Sequence, residues 1–207
     1  MRLDYKIDSS NELLIIPSLG FQTNHSNSYV GREALLDGSS GYTRTVNQNS
    51  KVNDRSGNNL NNTILYRHAF AKKGRTISIN LNTSYNKNDG NSYINTVQQL
   101  FNGTGSVDSS ASTFSVQKSH GYQVSTNLAY TEPLGANSQL QVNYNPTFSK
   151  SSSNQQMYEL DPVQNTYSVF LDSLSNEFDN RTKAQNTGLS FRHGNRDRMI
   201  AFGVSYQ

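Results

Sequence analysis

A strict alternation of apolar and polar residues, repeated in separate runs, limits this chain to one kind of element. Only a β-strand sorts alternate residues onto two faces that meet different surroundings. In 76–86, Ile77, Ile79, Leu81, Thr83 and Tyr85 fall on one face and Ser78, Asn80, Asn82, Ser84 and Asn86 on the other. In 121–131, Tyr122, Val124, Thr126, Leu128 and Tyr130 oppose Gln123, Ser125, Asn127 and Ala129. In 139–149, Leu140, Val142, Tyr144, Pro146 and Phe148 oppose Gln141, Asn143, Asn145 and Thr147. Near the end, Ile200, Phe202, Val204 and Tyr206 alternate with Ala201, Gly203 and Ser205. Weaker alternation covers 3–7, 13–21, 64–70 and 187–192, which brings the expectation to about eight strands.

The connections between these strands alternate in length. Tight-turn chemistry marks Ser9-Ser10-Asn11-Glu12, Ala71-Lys72-Lys73-Gly74, Leu134-Gly135-Ala136-Asn137 and Gly194-Asn195-Arg196-Asp197. Between them run long polar stretches at 25–58, 89–112 and 151–181. The unit is strand, long loop, strand, tight turn, recurring about every 60 residues. Placing every tight turn at one end and every long connection at the other is the habit of transmembrane barrels, with short periplasmic turns and long extracellular loops. The expected fold is therefore all-β: an antiparallel up-and-down transmembrane β-barrel segment.

Lipid supplies no hydrogen-bonding partner, so a chain crosses it only as a helix or a closed barrel. No run of about 18 apolar residues exists here, which removes the helix. The face opposite the apolar one is rich in Asn, Gln, Ser and Thr and poor in charge, as suits a wet lumen more than a soluble sheet. Mean hydropathy is −0.73, low enough to raise disorder as a rival. Charged residues at 16% and aromatics at 10% reverse the composition of disordered chains. There is no cysteine, hence no disulfide and no thiolate metal site. A net charge of +3, scattered or at turns, gives no footprint for nucleic acid.

Several aromatics fall toward strand ends: Tyr66, Phe70, Tyr85, Tyr122, Tyr130, Phe148, Phe191 and Tyr206. They are expected at the membrane interface, with rings in the apolar layer and hydroxyls wet. Pro17 and Pro146 interrupt the apolar face and are expected at local bulges.

Two stretches resemble a known family. They run from Leu65-Tyr66-Arg67-His68 through Gly74-Arg75-Thr76-Ile77-Ser78-Ile79-Asn80, and from Tyr130-Thr131-Glu132-Pro133-Leu134 through Leu140-Gln141-Val142-Asn143-Tyr144-Asn145-Pro146. Together with Asp172-Ser173-Leu174-Ser175-Asn176-Glu177-Phe178, they are similar to the outer-membrane β-barrel family of Bacteroidota and to the barrel part of TonB-dependent receptors. The resemblance implies a location in the bacterial outer membrane and a large barrel, often of about 22 strands, with a plug domain. No signal peptide, plug or TonB-box region is visible, and both termini come out on the extracellular side. Residues 1–207 are therefore expected to be an internal part of an outer-membrane barrel domain. The partners implied are outer-membrane lipid, a TonB-type energising complex acting through a plug region outside this chain, and a surface lipoprotein.

No catalytic signature is present. His25, His68, His120 and His193 fit no metal-ligand spacing, and neither G-x-S-x-G nor H-E-x-x-H occurs. No cofactor and no enzymatic activity are expected. The basic turn residues Lys72, Lys73 and Arg75 are expected to be solvated. The leading functional expectation is a wall and loop segment of a TonB-dependent-type receptor for nutrient uptake, with Tyr42, Tyr93, Phe101, Tyr158 and Tyr167 as loop aromatics that contact ligand. The alternatives are a small eight-stranded outer-membrane binding or structural barrel, and a soluble all-β adhesin-like module.

Overall fold

The computed structural model describes residues 1–38, 41–102, 105–194 and 198–207. Nine strands form one antiparallel sheet: β1 (Leu3–Lys6), β2 (Asn11–Gly38), β3 (Gly41–Ala69), β4 (Thr76–Asn102), β5 (Gly105–Pro133), β6 (Ser138–Asp161), β7 (Thr166–Phe170), β8 (Asn176–Gly194) and β9 (Met199–Tyr206). The order across the sheet is β1-β2-β3-β4-β5-β6-β8-β9, with β7 folded against the far end of β6. A 3₁₀ turn, Asp172–Leu174, joins β7 to β8. The sheet is open, with β1 and β9 at its edges.

There is no core. Among the described residues no hydrophobic side chain is buried, and the chain exposes 14885 Å². A soluble globule of 23.1 kDa exposes about 9,700 Å². The single layer therefore relies on its ladders and on the media against its two faces, which disfavours the soluble module.

The register confirms the alternation read from the sequence. On one rung Tyr5 faces Leu13, Leu13 faces Tyr66, Tyr66 faces Ile79, Ile79 faces Leu128 and Leu128 faces Tyr144. The neighbouring rung joins Ile15, Ile64, Leu81 and Thr126. All share the apolar face, and the intervening residues make the amide-rich one from β4 onward, while Leu14, Ile16 and Leu65 bring apolar side chains onto it in β2 and β3.

The apolar band runs obliquely across these rungs. Leu13 is the first apolar residue on its face of β2, whereas Tyr144 on the same rung follows Leu140 and Val142 in β6. The band thus slips four residues over the four steps from β2 to β6, or one per strand. With a rise of about 3.3 Å and a strand spacing of about 4.8 Å, that slope is about 35°, the strand tilt of a closed barrel.

The long polar connections are themselves β-structure. β2 and β3 stay paired from Asn11↔His68 to Gly38↔Gly41, and β4 and β5 from Thr76↔Thr131 to Asn102↔Gly105. Strands of 27 to 29 residues replace the expected span-plus-loop in these two hairpins. The physical reason is that no proline falls within 18–132, so nothing stops the ladder once the apolar segment has set its register. Asn, Ser and Thr then bond across strands, as Ser92 Oγ does to Asn53 Oδ1 at 2.8 Å. The third stretch, 151–181, holds the extra strand β7, which makes nine strands where the sequence suggested about eight. Its tip is an Asx turn, with the Asp161 carboxylate accepting from the Val163 and Gln164 N–H groups at 2.8 and 3.2 Å.

Neither proline sits in a bulge. Around Pro146 the β5–β6 pairing lapses between Ser125↔Thr147 and Leu128↔Tyr144, with the same register on both sides. The missing N–H removes ladder bonds without inserting a residue. Pro17 pairs with Asn62 on one side and lies past the last β1 partner, Ile15, on the other.

Two substitutions of equal size separate the faces. Leu81→Arg, mid-band on the apolar face, is expected to cost about 2–4 kcal/mol of stability in a bilayer. Asn127→Arg, exposed on the amide face, is expected to cost far less. Urea unfolding of the membrane-inserted protein, followed by tyrosine fluorescence, distinguishes them; equal losses would refute the assignment of faces.

Candidate functional site

The amide face is built from rungs of small polar residues. One carries Asn80 opposite Asn127, with Asn145 opposite Asn186 two strands on. The next two join Thr63, Asn82 and Ser125, then Asn61, Ser84 and Gln123. The Oδ1 atoms of Asn80 and Asn145 are buried without a hydrogen-bond partner among the described residues. Each amide offers donors and acceptors together, so this face takes up water or a hydroxylated solute equally well.

Above the apolar band the same face holds a hollow of about 480 Å³ lined by Gln22, Asn24, Arg55, Gly57, Asn88, Gly90, Gln117 and Ser119, with Ser56 and Asp89 at its margin. Register explains it. Gln22 faces Gly57, Gly57 faces Asn88 and Asn88 faces Ser119, while Asn24, Arg55, Gly90 and Gln117 make the adjoining rung. The two glycines leave room for their neighbours to lie flat. A Cβ on Gly57 would meet Asn88 Oδ1 at 2.6 Å, and one on Gly90 would meet Arg55 Cγ at 3.3 Å. The result is a shallow floor of amides and hydroxyls with one guanidinium, which forms no ion pair among the described residues.

The aromatics expected to contact ligand fall on the opposite face. Tyr93 and Tyr158 continue the parity of Tyr85 and Phe148, and so point away from the hollow. Tyr93, Phe114 and Tyr167 pack together, with ring centroids 4.6, 5.6 and 5.7 Å apart, and Tyr158 packs on Phe170 at 5.5 Å. Tyr167 also bonds Ser112 Oγ at 2.9 Å. Phe101 is covered by the Arg44 guanidinium, 5.4 Å from its centroid, and Arg44 pairs with Glu33 at 2.5 Å. The side chain of Tyr42 lies outside the described residues. The sequence therefore marked three members of one cluster and missed Phe114 and Phe170. It also missed Arg55, Gly57 and Gly90, whose meeting depends on cross-strand register.

The aromatics expected at the membrane interface lie on the apolar face. At its lower border Phe70 contacts His68 at 4.4 Å and Tyr130 at 6.4 Å, and the Tyr66 hydroxyl donates to Asn11 Oδ1 at 2.6 Å. Phe191 stacks on His193 with centroids 6.5 Å apart. At the upper border Tyr85 faces Tyr122, which packs on Phe148 at 5.7 Å. Tyr206, opposite Thr187, is 78% exposed on the edge strand.

The tight turns also carry order. Lys72 and Arg75 are not merely solvated: both bond the Glu132 carboxylate, at 2.6 Å and at 2.7 and 2.8 Å, and the Tyr130 hydroxyl adds a fourth bond at 2.6 Å. These donors, Arg75 foremost, hold the Glu132 carboxyl well below the usual carboxylate range.

An open sheet with no core, apolar on one face and amide-lined on the other, tilted as in a closed barrel, is the wall of a transmembrane barrel. The chain belongs to the outer membrane protein beta-barrel family, whose model matches residues 68–203, and it resides in the bacterial outer membrane. No curated protein matches it. Among solved structures it is similar to the ferric yersiniabactin uptake receptor of Yersinia pestis, at 12% identity and a TM-score of 0.31. That match covers 98% of this chain and 35% of the receptor chain, so the present chain spans about a third of it.

Glu132 makes stability pH-dependent. A depressed carboxyl contributes stability above its unfolded pKa, about 4.3, and loses it as pH falls toward the folded value. Wild type is expected to exceed Glu132→Gln in Tm at neutral pH, with the gap closing below about pH 4; a constant gap would deny the carboxylate its role. For the outer cluster, Tyr167→Ala is expected to speed amide exchange in β7 while leaving 76–86 protected, as read by hydrogen–deuterium exchange.

Proposed function

We propose that the chain forms wall and outer vestibule of a TonB-dependent-type receptor that imports a polar nutrient. The observation that carries this is the amide-lined face with its hollow. A complete eight-stranded barrel fills its interior with its own side chains. Here the inward residues are mostly small, polar and short of partners, which suits a wider, wet lumen of which residues 1–207 supply a part. The role is binding and passage, and it requires no reacting group.

In this reading Tyr66, Phe70, Tyr130 and Phe191 mark the periplasmic edge of the bilayer, and Tyr85, Tyr122 and Phe148 its outer edge. The hollow around Arg55 meets the ligand first, with Tyr93, Phe101, Tyr158 and Tyr167 stiffening the strands that carry it. Energy comes from a TonB-type complex through a plug region, and a surface lipoprotein is a fitting partner for strands that project so far.

Excising 22–57, which carries the β2 and β3 side of the hollow, and joining Phe21 to Asn58 through an Asn-Gly turn is expected to abolish uptake while the barrel keeps its heat-modifiable migration. Arg55→Ala is expected to weaken ligand capture about tenfold, the cost of one charged hydrogen bond. Growth on candidate nutrients and radiolabelled uptake measure both. Undiminished uptake after the excision would overturn the proposal.

A further inference from the structure

Basic residues line the outer edge of the apolar band along its slope. In β4 the first outward residue past Tyr85 is Lys87; in β5 the first past Tyr122 is His120; in β6 the first past Phe148 is Lys150. In β8, Lys183 faces Phe148 and Arg181 faces Lys150. The line descends across the sheet as the band does, so on tilted strands these side chains stand at one height. That height is the level of lipid headgroups.

The two edges of the band treat charge differently. At the periplasmic edge Lys72 and Arg75 both pair with the Glu132 carboxylate. At the outer edge Lys87 has Asp89 at 3.0 Å, but Lys150, Arg181 and Lys183 form no ion pair among the described residues. The nearest acids on this face, Asp179 and Glu177, lie one and two outward positions beyond Arg181. Arg181 and Lys183 are exposed and Lys150 half-buried. These three cations stand directly above the acyl-chain surface with no carboxylate paired to them among the described residues.

We propose that Lys150, Arg181 and Lys183, with Lys87 and His120 beside them, form a site for the phosphate groups of an anionic glycolipid in the outer leaflet. Acyl chains lie against Leu81, Val124 and Phe148 while the phosphorylated sugar headgroup meets the cations. The lipid is the committed ligand because the cations continue the lipid-facing wall; the hollow around Arg55 lies on the other face. Guanidinium and ammonium groups bind phosphate oxygens by charge-assisted hydrogen bonds.

The test compares the intact protein in phosphatidylcholine nanodiscs with and without bisphosphoryl lipid A. Lipid A is expected to raise Tm and to be retained through detergent exchange, as read by native mass spectrometry. The triple variant Lys150→Gln, Arg181→Gln, Lys183→Gln is expected to lose about fivefold in affinity per cation, roughly a hundredfold in all. Lys150→Arg with Lys183→Arg is expected to keep it, and Lys73→Gln at the opposite edge is expected to change nothing. Equal lipid A retention by the triple variant would overturn the proposal. So would equal stabilisation by soluble inorganic phosphate, which would assign the cations to a free anion instead of a lipid.

Discussion

Every part of this molecule depends on the inter-strand hydrogen bond. The described residues form no hydrophobic core to compensate for a broken ladder. In lipid an unpaired N–H or C=O costs several kcal/mol, so each strand must find its partner on both sides wherever it crosses the band. Composition follows from that. With the backbone satisfied by its neighbours, each side chain answers only to the medium on its own face. Most Leu, Ile and Val go to lipid and most Asn, Ser and Gln to water, with Leu14, Ile16 and Leu65 on the amide side and Asn62 on the apolar side as departures, and the chain scores as polar overall because strands extend well past the bilayer on polar residues.

The slope of the apolar band links this local rule to the whole barrel. One residue of slip per strand is set by which residues face one another, as in Leu13, Tyr66, Ile79, Leu128 and Tyr144. It fixes the tilt before any closure is seen, because a band horizontal in the membrane can cross antiparallel rungs obliquely only if the strands lean. The aromatic borders and the outer cations share the slope. A row read straight across the rungs would have scattered Lys87, Lys150 and Lys183 over three heights; on leaning strands they stand together.

The membrane-spanning half of the fold was legible because alternation needs contrast between faces. Ile77 to Tyr85 against Ser78 to Asn86 supplies it, and those strands stand where the sequence placed them. The polar stretches lack contrast. In 45–58 Asn, Ser, Thr and Gln occupy both parities, so a strand there looks like a loop to any hydropathy argument. What orders them is register inherited from the band, which is not a local property. The same gap hid the hollow: Arg55, Gly57, Asn88 and Gly90 are unremarkable until the ladder places them together. Tyr93, Tyr158 and Tyr167 were visible as aromatics, but their face was not, since parity carries outward from Tyr85 and Phe148 only along a continuous strand.

How strands this long persist in water is a separate question from how they cross lipid. A two-stranded hairpin alone is marginal in water. Beyond the bilayer, though, β3 stays paired with β4 up to Arg44↔Phe101, and β5 with β6 up to Thr113↔Glu159. The hairpins therefore form a continuous sheet, and closing one more rung orders strands already held by their neighbours. Aromatic packing adds to this on the outward face, where Val52, Tyr93, Phe114, Tyr158 and Phe170 share a rung and Tyr167 covers them. Each aromatic contact contributes about 0.5–1.5 kcal/mol beyond its buried area. Because the aromatic stiffening lies on the outside and the inner face is tied by short polar bonds such as Ser92 Oγ to Asn53 Oδ1 at 2.8 Å, Arg55 and the amides around it are left to face whatever enters.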